Sequence, residues 1–373
     1  MTHIPIPFVD LGRQYRAIRD EVHAAIDEVL SRTAFIRGFA ADAFQNDFAR
    51  YLGAKRVVGC NSGTDALWLA VKALGIGPGD EVLIPANTFF ATPEAVAQAG
   101  ATPVFVDCDA ATFLIDLADA EKRITPRTKA IIPVHLYGQP CDMDAVQALC
   151  SRHRLVCIDD AAQAHGAEWK GHRIGSSACG AAITAFSFYP GKNLGAYGDA
   201  GAISTDRDDL ADAILTLADH GQARKYEHAV IGWNSRLDGL QAAVLGVKLR
   251  HLDAWTDGRR RAAAQYGELL HGVAGLVLPS EAPHAKHVWH LYVVQVQGNG
   301  GAAAVSDRLR ERGVQSGFHY PVPCHKQPAF AHLPTPPCPV AERQAATLLS
   351  LPMFGEITAD EVSAVCEALK ASV

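Results

Sequence analysis

One lysine of the 373-residue chain stands out because of the loop that carries it. Lys192 follows the apolar run ITAFSF at 183–188 and lies in a glycine-rich loop that leads to the segment GAIST at 201–205. A lysine amine becomes a nucleophile when desolvation or nearby positive charge removes its proton, and it then forms Schiff bases with carbonyl groups. Most lysines are solvated, so a plain surface lysine is the alternative interpretation.

Two adjacent carboxylates form the second group that could do chemistry. Asp159 and Asp160 end the apolar segment LVCIDD at 155–160, and Gln163 follows three residues later. A carboxylate held at the end of a strand can keep a ring nitrogen protonated, and Gln163 could reach another substituent of the same ring. The alternative is a solvent-exposed turn or a pair of helix-capping residues.

The third group is the turn NSGTDAL at 61–67, which lies between a predicted strand and a predicted helix. Free backbone N–H groups at the start of a helix, with the hydroxyls of Ser62 and Thr64, would attract an anion. The turn lacks the lysine of a nucleotide P-loop, and the chain has no GxGxxG motif. A simple helix N-cap is the alternative.

The elements that must position these groups alternate between residues 55 and 206. Predicted strands lie at 56–60, 81–85, 102–107, 130–138, 155–160, 183–188 and 201–205, with predicted helices at 64–75, 92–100 and 142–153. Apolar strands separated by helices predict an α/β fold with a mostly parallel sheet covered on both faces. Ligands of such sheets bind beyond the carboxyl ends of the strands, and the polar groups follow strand ends.

The last third of the chain has α+β character. Predicted helices at 208–219 and 238–271 lead into this third, which holds predicted helices at 302–313, 341–351 and 358–371 and a predicted strand at 287–296. We therefore expect two domains: residues 1–252 would form an N-terminal segment with the large domain, and residues 253–373 a smaller C-terminal domain. Three arginines at 259–261 are interpreted as a solvated helix face, with a diphosphate contact as the alternative.

Composition excludes several classes of protein. The net charge is -6 and the sequence has no stripe of basic residues, so nucleic acid is not an expected partner. No apolar run is long enough for a membrane span, and the N-terminus lacks the pattern of a signal peptide, so we expect a cytoplasmic protein. Nine scattered cysteines without a CxxC pair predict buried thiols rather than a metal site. The histidines of HVWH at 287–290 would lie on opposite faces of a strand, which also argues against a metal.

An anion-binding turn, a strand-end acid and a loop lysine, in that chain order, are the parts that pyridoxal phosphate requires. The sequence resembles the DegT/DnrJ/EryC1/StrS family of sugar aminotransferases, whose fold is type I, like that of aspartate aminotransferase. The resemblance runs from near residue 8 to beyond 330 and rests on the segments NSGTDAL, PANTFFAT, PVHLYGQPCDMD, IDDAAQAHGA, SFYPGKNLGAYGDAGAI, HGQARKYEH, GWNSRLDGLQAAVLGVKL and HYPVPCHKQPAF. One departure is Asp159, where relatives often have glutamate.

The resemblance implies a role for each residue that matches a family motif. Lys192 would form the Schiff base with pyridoxal phosphate, Asp160 would bond the pyridine nitrogen, and Gln163 would lie near the ring hydroxyl. The remaining cofactor contacts would be Gly63, Thr64 and Ser187 at the phosphate, Phe89 on the ring face, and Asn234 reaching the phosphate of the partner subunit. A homodimer with shared active sites is therefore implied.

The implied reaction transfers the amino group of L-glutamate, through pyridoxamine phosphate, to the keto group of a nucleotide-linked sugar. HLYGQPCDMD and HYPVPCHKQPAF are most similar to the branch that acts at C-3 of dTDP-linked 3-keto-6-deoxyhexoses. His319, Tyr320 and His325 would bind sugar hydroxyls or the diphosphate, unless they belong to a structural loop.

Three other functions remain as alternatives. The first is amination at C-4 of the sugar. The second is a pyridoxamine-dependent sugar dehydratase, but those relatives carry histidine in place of the lysine. The third is a non-catalytic regulator that binds cofactor or sugar as a signal. A regulator would be expected to lose the lysine, the acid or the anion-binding turn, and all three are present.

Overall fold

The computed structural model describes residues 5–298 and 300–373, so residues 1–4 of the predicted first domain lie outside the described residues. The helices of this part of the chain are α1 (Leu11–Ser31), α2 (Phe39–Leu52), α3 (Gly63–Ala73), α4 (Ala91–Gln98), α5 (Leu117–Lys122), α6 (Met143–His153), α7 (Asp208–Ala218), α8 (Gly239–Leu249), α9 (Leu252–Leu270), α10 (Gly301–Glu311), α11 (Pro339–Thr347) and α12 (Ala359–Lys370). Helices α1 and α2 had no counterpart in the sequence analysis. None of the described helices is both long enough and apolar enough to cross a bilayer.

The strands are mostly short. They are β1 (Arg56–Cys60), β2 (Glu81–Pro85), β3 (Thr102–Val106), β4 (Thr128–Ile131), β5 (Val156–Asp160), β6 (Glu168–Trp169), β7 (His172–Arg173), β8 (Ile183–Ser187), β9 (Gly201–Thr205), β10 (Gln222–Arg224), β11 (Glu227–His228), β12 (Leu276–Val277), β13 (Ala285–Lys286), β14 (Tyr292–Val296) and β15 (Leu348–Leu351). The seven strands predicted between residues 55 and 206 are all present. The predicted strand at 130–138 is shorter than expected, because the chain leaves the sheet after Ile131.

A seven-stranded sheet, counted over the described residues, forms the centre of the large domain, in the order β1-β9-β8-β5-β4-β2-β3. Strand β9 pairs antiparallel with β1 and β8, whereas the remaining neighbours pair in parallel. Leu83, Ile158 and Ile203 are fully buried, as expected for strands covered on both faces. The predicted α/β fold with a mostly parallel sheet is confirmed.

Helices cover both faces of this sheet and make two apolar layers. One layer contains Leu67 and Leu69 of α3 and Ile214 of α7. The other contains Phe44 and Phe48 of α2, together with side chains of α6 and α8. Burying apolar side chains on both faces stabilises the sheet and leaves its carboxyl edge as the place for polar groups.

The second half of the chain adds a three-stranded antiparallel sheet in the order β12-β14-β15, which packs with α9, α10 and α12. Three predicted boundaries were wrong there. The helix predicted at 341–351 ends at Thr347, because the buried segment LLSL pairs with β14 as β15. The strand predicted at 287–296 begins only at Tyr292, and the helix predicted at 238–271 is interrupted between α8 and α9.

Each half of the chain sends segments that pack against the other half. Ile6 pairs with Val314, and the Arg13 guanidinium donates to Glu361 at 2.8 Å. In the opposite direction, the ring of Phe330 packs 5.3 Å from the ring of Phe105 in β3. The division at residue 252 stays a prediction.

Candidate active site

Lys192 lies in the loop that connects β8 to β9, and three contacts fix the course of this loop. The Lys192 N–H donates to the Tyr189 carbonyl at 2.8 Å, and the N–H of Ala196 donates to the Phe188 carbonyl at 2.8 Å. The buried Lys248 of α8 donates from Nζ to the Gly195 carbonyl at 2.7 Å. The loop therefore has a defined conformation at the carboxyl end of β8.

The environment of Lys192 favours the neutral amine. Burial lowers the pKa of Lys192 to about 8, while the charge of Asp160 opposes this shift. Desolvation destabilises an ammonium group, so a larger share of this lysine is nucleophilic near neutral pH than of a solvated lysine. The residue as a whole is nevertheless half-buried rather than fully enclosed.

Asp160 ends β5 and is 5% exposed. Its carboxylate accepts hydrogen bonds from Thr92 Oγ1 at 2.8 Å and from the Ala162 N–H at 3.1 Å. Burial raises the pKa of Asp160, and the two hydrogen bonds and the charge of Lys192 lower it. A buried acid in electrostatic contact with Lys192 is suited to pairing with a protonated ring nitrogen.

Asp159 points away from Asp160, as alternation along a strand requires. It is fully buried, and its Oδ2 lies 3.5 Å from Nε2 of His135. Since neither carboxylate is exposed, the interpretation of the pair as a solvent-exposed turn was wrong.

Gln163 is buried, and both ends of its amide are bonded. Its Oε1 accepts from the Tyr137 N–H at 2.6 Å, and its Nε2 donates to the Tyr320 hydroxyl at 3.1 Å. The ring of Phe89, which follows β2, lies 5.7 Å from the ring of Tyr320. The structure thus brings three of the predicted residues together.

The predicted anion-binding turn lies against the end of β8. Ser62 caps α3 by accepting the Asp65 N–H at 3.1 Å, so its hydroxyl acts as the N-cap. A Cβ on Gly63 would lie 2.5 Å from Cβ of Ser187, which means that only glycine permits this approach. Thr64 follows in the first turn of α3 and is half-buried. The first turn of the helix and Ser187 therefore form one cradle, in which an anion would find backbone N–H groups and hydroxyls.

Asn234 is exposed on a loop that is hydrogen-bonded to the start of α3. The adjacent Ser235 accepts the Asn61 N–H at 3.1 Å and donates to Asp65 at 2.7 Å. Asn234 itself bridges to Asp219 through the backbone. The residue is exposed, so another molecule could reach it, as its predicted role across a dimer interface requires.

The two predicted substrate histidines lie in different places. His319 hydrogen-bonds through Nδ1 with the Ser350 hydroxyl at 2.8 Å, and its carbonyl accepts from the Tyr137 hydroxyl. His325 is buried with its Nε2 3.0 Å from Glu342, and its ring packs 6.3 Å from Phe105 in the edge strand β3. The structure therefore brings His319 to the Gln163–Tyr320 contact, whereas His325 lies at the edge of the sheet.

Sequence reasoning missed His290 and Asn193. His290 Nδ1 lies 3.1 Å from Oδ1 of Asn193, the neighbour of Lys192. The two histidines of HVWH were the available signal. They were set aside because the predicted strand at 287–296 would have placed them on opposite faces. Arg259 was also misjudged: it is buried and donates to the carbonyls of Trp289, His290 and Met353, so it does not lie on a solvated face.

All nine cysteines are buried free thiols. Among the described residues, no group of three or more histidine, cysteine or acidic side chains is arranged to hold a metal ion. The groups at the site that could do chemistry are its amine, its carboxylate and its anion cradle. These three features fit pyridoxal phosphate, because the cradle would take the phosphate, Asp160 the ring nitrogen and Lys192 the aldehyde.

Comparisons with known proteins agree with this fit. The model of the DegT/DnrJ/EryC1/StrS aminotransferase family matches residues 16–370. A Geobacillus stearothermophilus protein named pleiotropic regulatory protein is 46% identical, over 97% of this chain and 97% of its own length. The dTDP-3-amino-3,4,6-trideoxy-alpha-D-glucose transaminase of Streptomyces venezuelae is 44% identical, over 98% of this chain and 95% of its own.

A crystal structure of Streptomyces venezuelae DesV in complex with a ketimine intermediate superposes with a TM-score of 0.95. The two sequences are 43% identical, and the match covers 99% of this chain and 98% of DesV. The expected fold and the class of pyridoxal-phosphate-dependent aminotransferases are thereby confirmed. With its lysine, buried acid and anion cradle arranged on this fold, the chain belongs to the DegT/DnrJ/EryC1/StrS aminotransferase family.

Proposed function

We propose that the protein transfers the amino group of L-glutamate to the C-3 keto group of a dTDP-linked 3-keto-6-deoxyhexose. The observation that carries this proposal is that Lys192, whose pKa is lowered to about 8, lies within electrostatic range of the buried Asp160 at the carboxyl edge of the sheet. The names of the related proteins support a nucleotide-linked amino sugar as the product.

The cofactor side of the site would be held by the residues of the cradle and of β5. Gly63, Thr64 and Ser187 would bind the phosphate, and Phe89 would cover one face of the ring. When bound, pyridoxal phosphate supplies a ring that delocalises the electrons left behind when a proton leaves the substrate carbon. Asp160, oriented by Thr92 and the Ala162 N–H, would keep the ring nitrogen protonated.

Lys192 would have two tasks. As a neutral amine it would attach the cofactor covalently, and its lowered pKa supports that role. Once a substrate amine has displaced it, Nζ of Lys192 would take the proton from the amino-bearing carbon of the donor. It would then deliver this proton to the cofactor. The keto-sugar then collects the amino group, and ping-pong kinetics are expected.

The sugar would enter on the side of Tyr320 and His319. Tyr320 is held by Gln163, and the backbone of His319 is held by Tyr137. This places both residues in contact with side chains that follow strands β4 and β5 of the large sheet. His325 would act only indirectly, through the loop that it anchors to Glu342.

The working form would be a cytoplasmic homodimer with shared active sites. The segment that includes β10 and β11 exposes apolar side chains next to Asn234, with Tyr226 84% and Ile231 97% exposed. Contiguous exposed apolar side chains are typical of protein interfaces. A second copy covering this segment would bring Asn234 to the partner's cradle.

One experiment tests the reaction and its alternatives. Purified protein loaded with pyridoxal phosphate is incubated with L-glutamate and a panel of 3-keto and 4-keto sugars linked to dTDP or UDP, and the products are identified by mass spectrometry and NMR. A 3-amino dTDP-sugar supports the proposal, and a 4-amino sugar replaces it with C-4 amination. A deoxygenated keto-sugar without nitrogen would identify a dehydratase. Tight binding of the sugar with no turnover would identify a regulator, which is the role named for the Geobacillus relative.

A further inference from the structure

Two buried threonine hydroxyls lead in series to the carboxylate of Asp160. Thr92 Oγ1 lies 2.8 Å from Oδ2 of Asp160, and Thr88 Oγ1 lies 2.8 Å from Oγ1 of Thr92. Thr88 is 2% exposed and Thr92 is fully buried, so solvent does not compete for either hydroxyl. The two hydroxyls and the acid therefore form one hydrogen-bonded row.

The ionised carboxylate decides the direction of both hydrogen bonds. A carboxylate only accepts and a threonine hydroxyl has one proton, so Thr92 donates its proton to Asp160. The oxygen of Thr92 is then the acceptor, and Thr88 must be the donor. A hydrogen bond to a charged acceptor is about twice as strong as one between neutral groups, and each hydroxyl polarises the next. Both threonines therefore stabilise the ionised form of Asp160.

This stabilisation acts against the burial of the acid. Burial raises the pKa of Asp160, whereas the Thr92 hydroxyl, the Ala162 N–H and the nearby charges lower it. The titratable groups within electrostatic range of this carboxylate are Lys192, His135, Tyr320 and Cys141. Hydrogen bonds to the charged form are therefore one of the means by which a carboxylate stays ionised at this buried place.

The segment that carries the two threonines is attached to the loop that follows Tyr320. Cys324 donates from its backbone N–H to the Ala86 carbonyl at 2.9 Å and from Sγ to the Thr88 carbonyl at 3.2 Å. Thr92 lies in the first turn of α4. The backbone on both sides of the Thr88–Thr92 contact is therefore held, which keeps the two hydroxyls in line with the acid.

We propose that Thr88 and Thr92 are positioning residues, whose aligned hydroxyls keep Asp160 ionised and thereby keep the ring nitrogen of the bound cofactor protonated. Both act through Asp160 and neither gives up its proton. Without their hydrogen bonds the carboxylate would be a stronger base, and the proton between it and the ring nitrogen would move to the carboxylate. The inference rests on the proposed function, because it needs Asp160 to pair with the ring nitrogen.

The test is ¹⁵N NMR of the holoenzyme loaded with pyridoxal phosphate that is labelled at its ring nitrogen, because the chemical shift of this atom reports its protonation. The wild type should show a protonated ring nitrogen at neutral pH. Thr92→Val removes the hydroxyl with little change of shape, so its signal should move towards the unprotonated position, and Thr92→Ser should restore it. Thr88→Val should cause a smaller movement in the same direction. An unchanged signal in Thr92→Val would overturn the proposal.

The rate of the half-reaction with L-glutamate gives a second readout. It should fall several-fold in Thr92→Val and recover in Thr92→Ser, because a less protonated ring accepts electrons less readily. Thr256→Val is the matched control. Thr256 is 3% exposed, and its hydroxyl has no hydrogen-bond partner within the described residues, so its removal should alter neither the signal nor the rate.

Two outcomes separate this inference from the proposed function. An unprotonated ring nitrogen in the wild type would mean that Asp160 does not pair with it, which overturns both. A protonated ring nitrogen in the wild type and in the valine variants would leave the proposed role of Asp160 intact and overturn only the role of the threonines. If Thr92→Val does not fold, Thr88→Val gives the same decision, because an unchanged signal there contradicts the proposal.

Discussion

The hydroxyl oxygen of Tyr320 lies 3.1 Å from Nε2 of Gln163, although the two residues are 157 positions apart in the chain. Because the Gln163 amide donates this bond, Tyr320 is the acceptor and its own O–H proton remains free to donate to a ligand. The other end of the amide accepts the Tyr137 N–H. Gln163 therefore connects the carboxyl edge of the large sheet to the loop of His319 and Tyr320, which is predicted to bind the sugar.

Tyr320→Phe should leave the buried Nε2 of Gln163 without its partner. The free energy of unfolding should fall by about 1–3 kcal/mol, the usual penalty for an unsatisfied buried polar group. Since Tyr320 faces the sugar in our proposal, KM for the keto-sugar should rise while the half-reaction with glutamate stays near its wild-type rate. Steady-state and single-turnover kinetics on the same preparation separate the two effects.

A double-mutant cycle checks whether the contact itself is responsible. With Gln163→Ala as the second change, the two losses of stability in urea unfolding should be less than additive, because both remove the same hydrogen bond. Additive losses would mean that Tyr320 and Gln163 stabilise the fold independently.

The apoprotein should capture pyridoxal phosphate with a pH dependence set by Lys192. The amine is the deprotonated form, so a pKa of about 8 makes the capture rate rise with pH and reach half its plateau near pH 8, instead of above pH 10. Asp160→Asn removes the one charge that raises this pKa, and the midpoint should move to lower pH. Stopped-flow absorbance gives the rate, and mass spectrometry after borohydride reduction gives the site of attachment.

Lys192→Ala is the negative variant for this experiment, and it should bind the cofactor without covalent attachment and lose turnover. Lys170→Ala is its matched control, because Lys170 is an exposed lysine paired with Asp144. A borohydride-stable adduct in Lys192→Ala, or an unchanged midpoint in Asp160→Asn, would contradict the assignment of these two residues.

The sequence was sufficient for the local features of this site and insufficient for its long-range contacts. Lys192, Asp160 and the turn before α3 could be found because each lies at or shortly after the end of a strand with a clear apolar pattern. The Gln163–Tyr320 contact has no local signature, since it depends on how the chain returns to the sheet 157 residues later. The burial of Arg259 was missed because the carbonyls that it contacts, at Trp289, His290 and Met353, lie far along the chain. The segment LLSL was assigned to a helix because helix and strand patterns look alike over four apolar residues.

The exposed segment around β10 and β11 should carry the dimer interface. Ile231→Glu places a charge on the most exposed of its apolar side chains, and it should raise the monomer fraction in analytical ultracentrifugation and weaken cofactor retention. Val277→Glu, on the exposed side of β12, is the control and should leave the assembly unchanged. A wild-type monomer, or a dimer unaffected by Ile231→Glu, would remove this segment from the interface.

Gly63→Ala should damage the anion cradle through sterics alone. Its Cβ would lie 2.5 Å from Cβ of Ser187, and overpacking of this kind costs roughly 1–3 kcal/mol of stability. Gly246→Ala is the matched control, because this glycine in α8 has open space around its added Cβ, and the change should stabilise the helix by about 1 kcal/mol. Thermal unfolding with and without pyridoxal phosphate measures both effects. The stabilisation by cofactor should shrink in Gly63→Ala and persist in Gly246→Ala, whereas equal stabilisation in both variants would mean that the phosphate binds elsewhere.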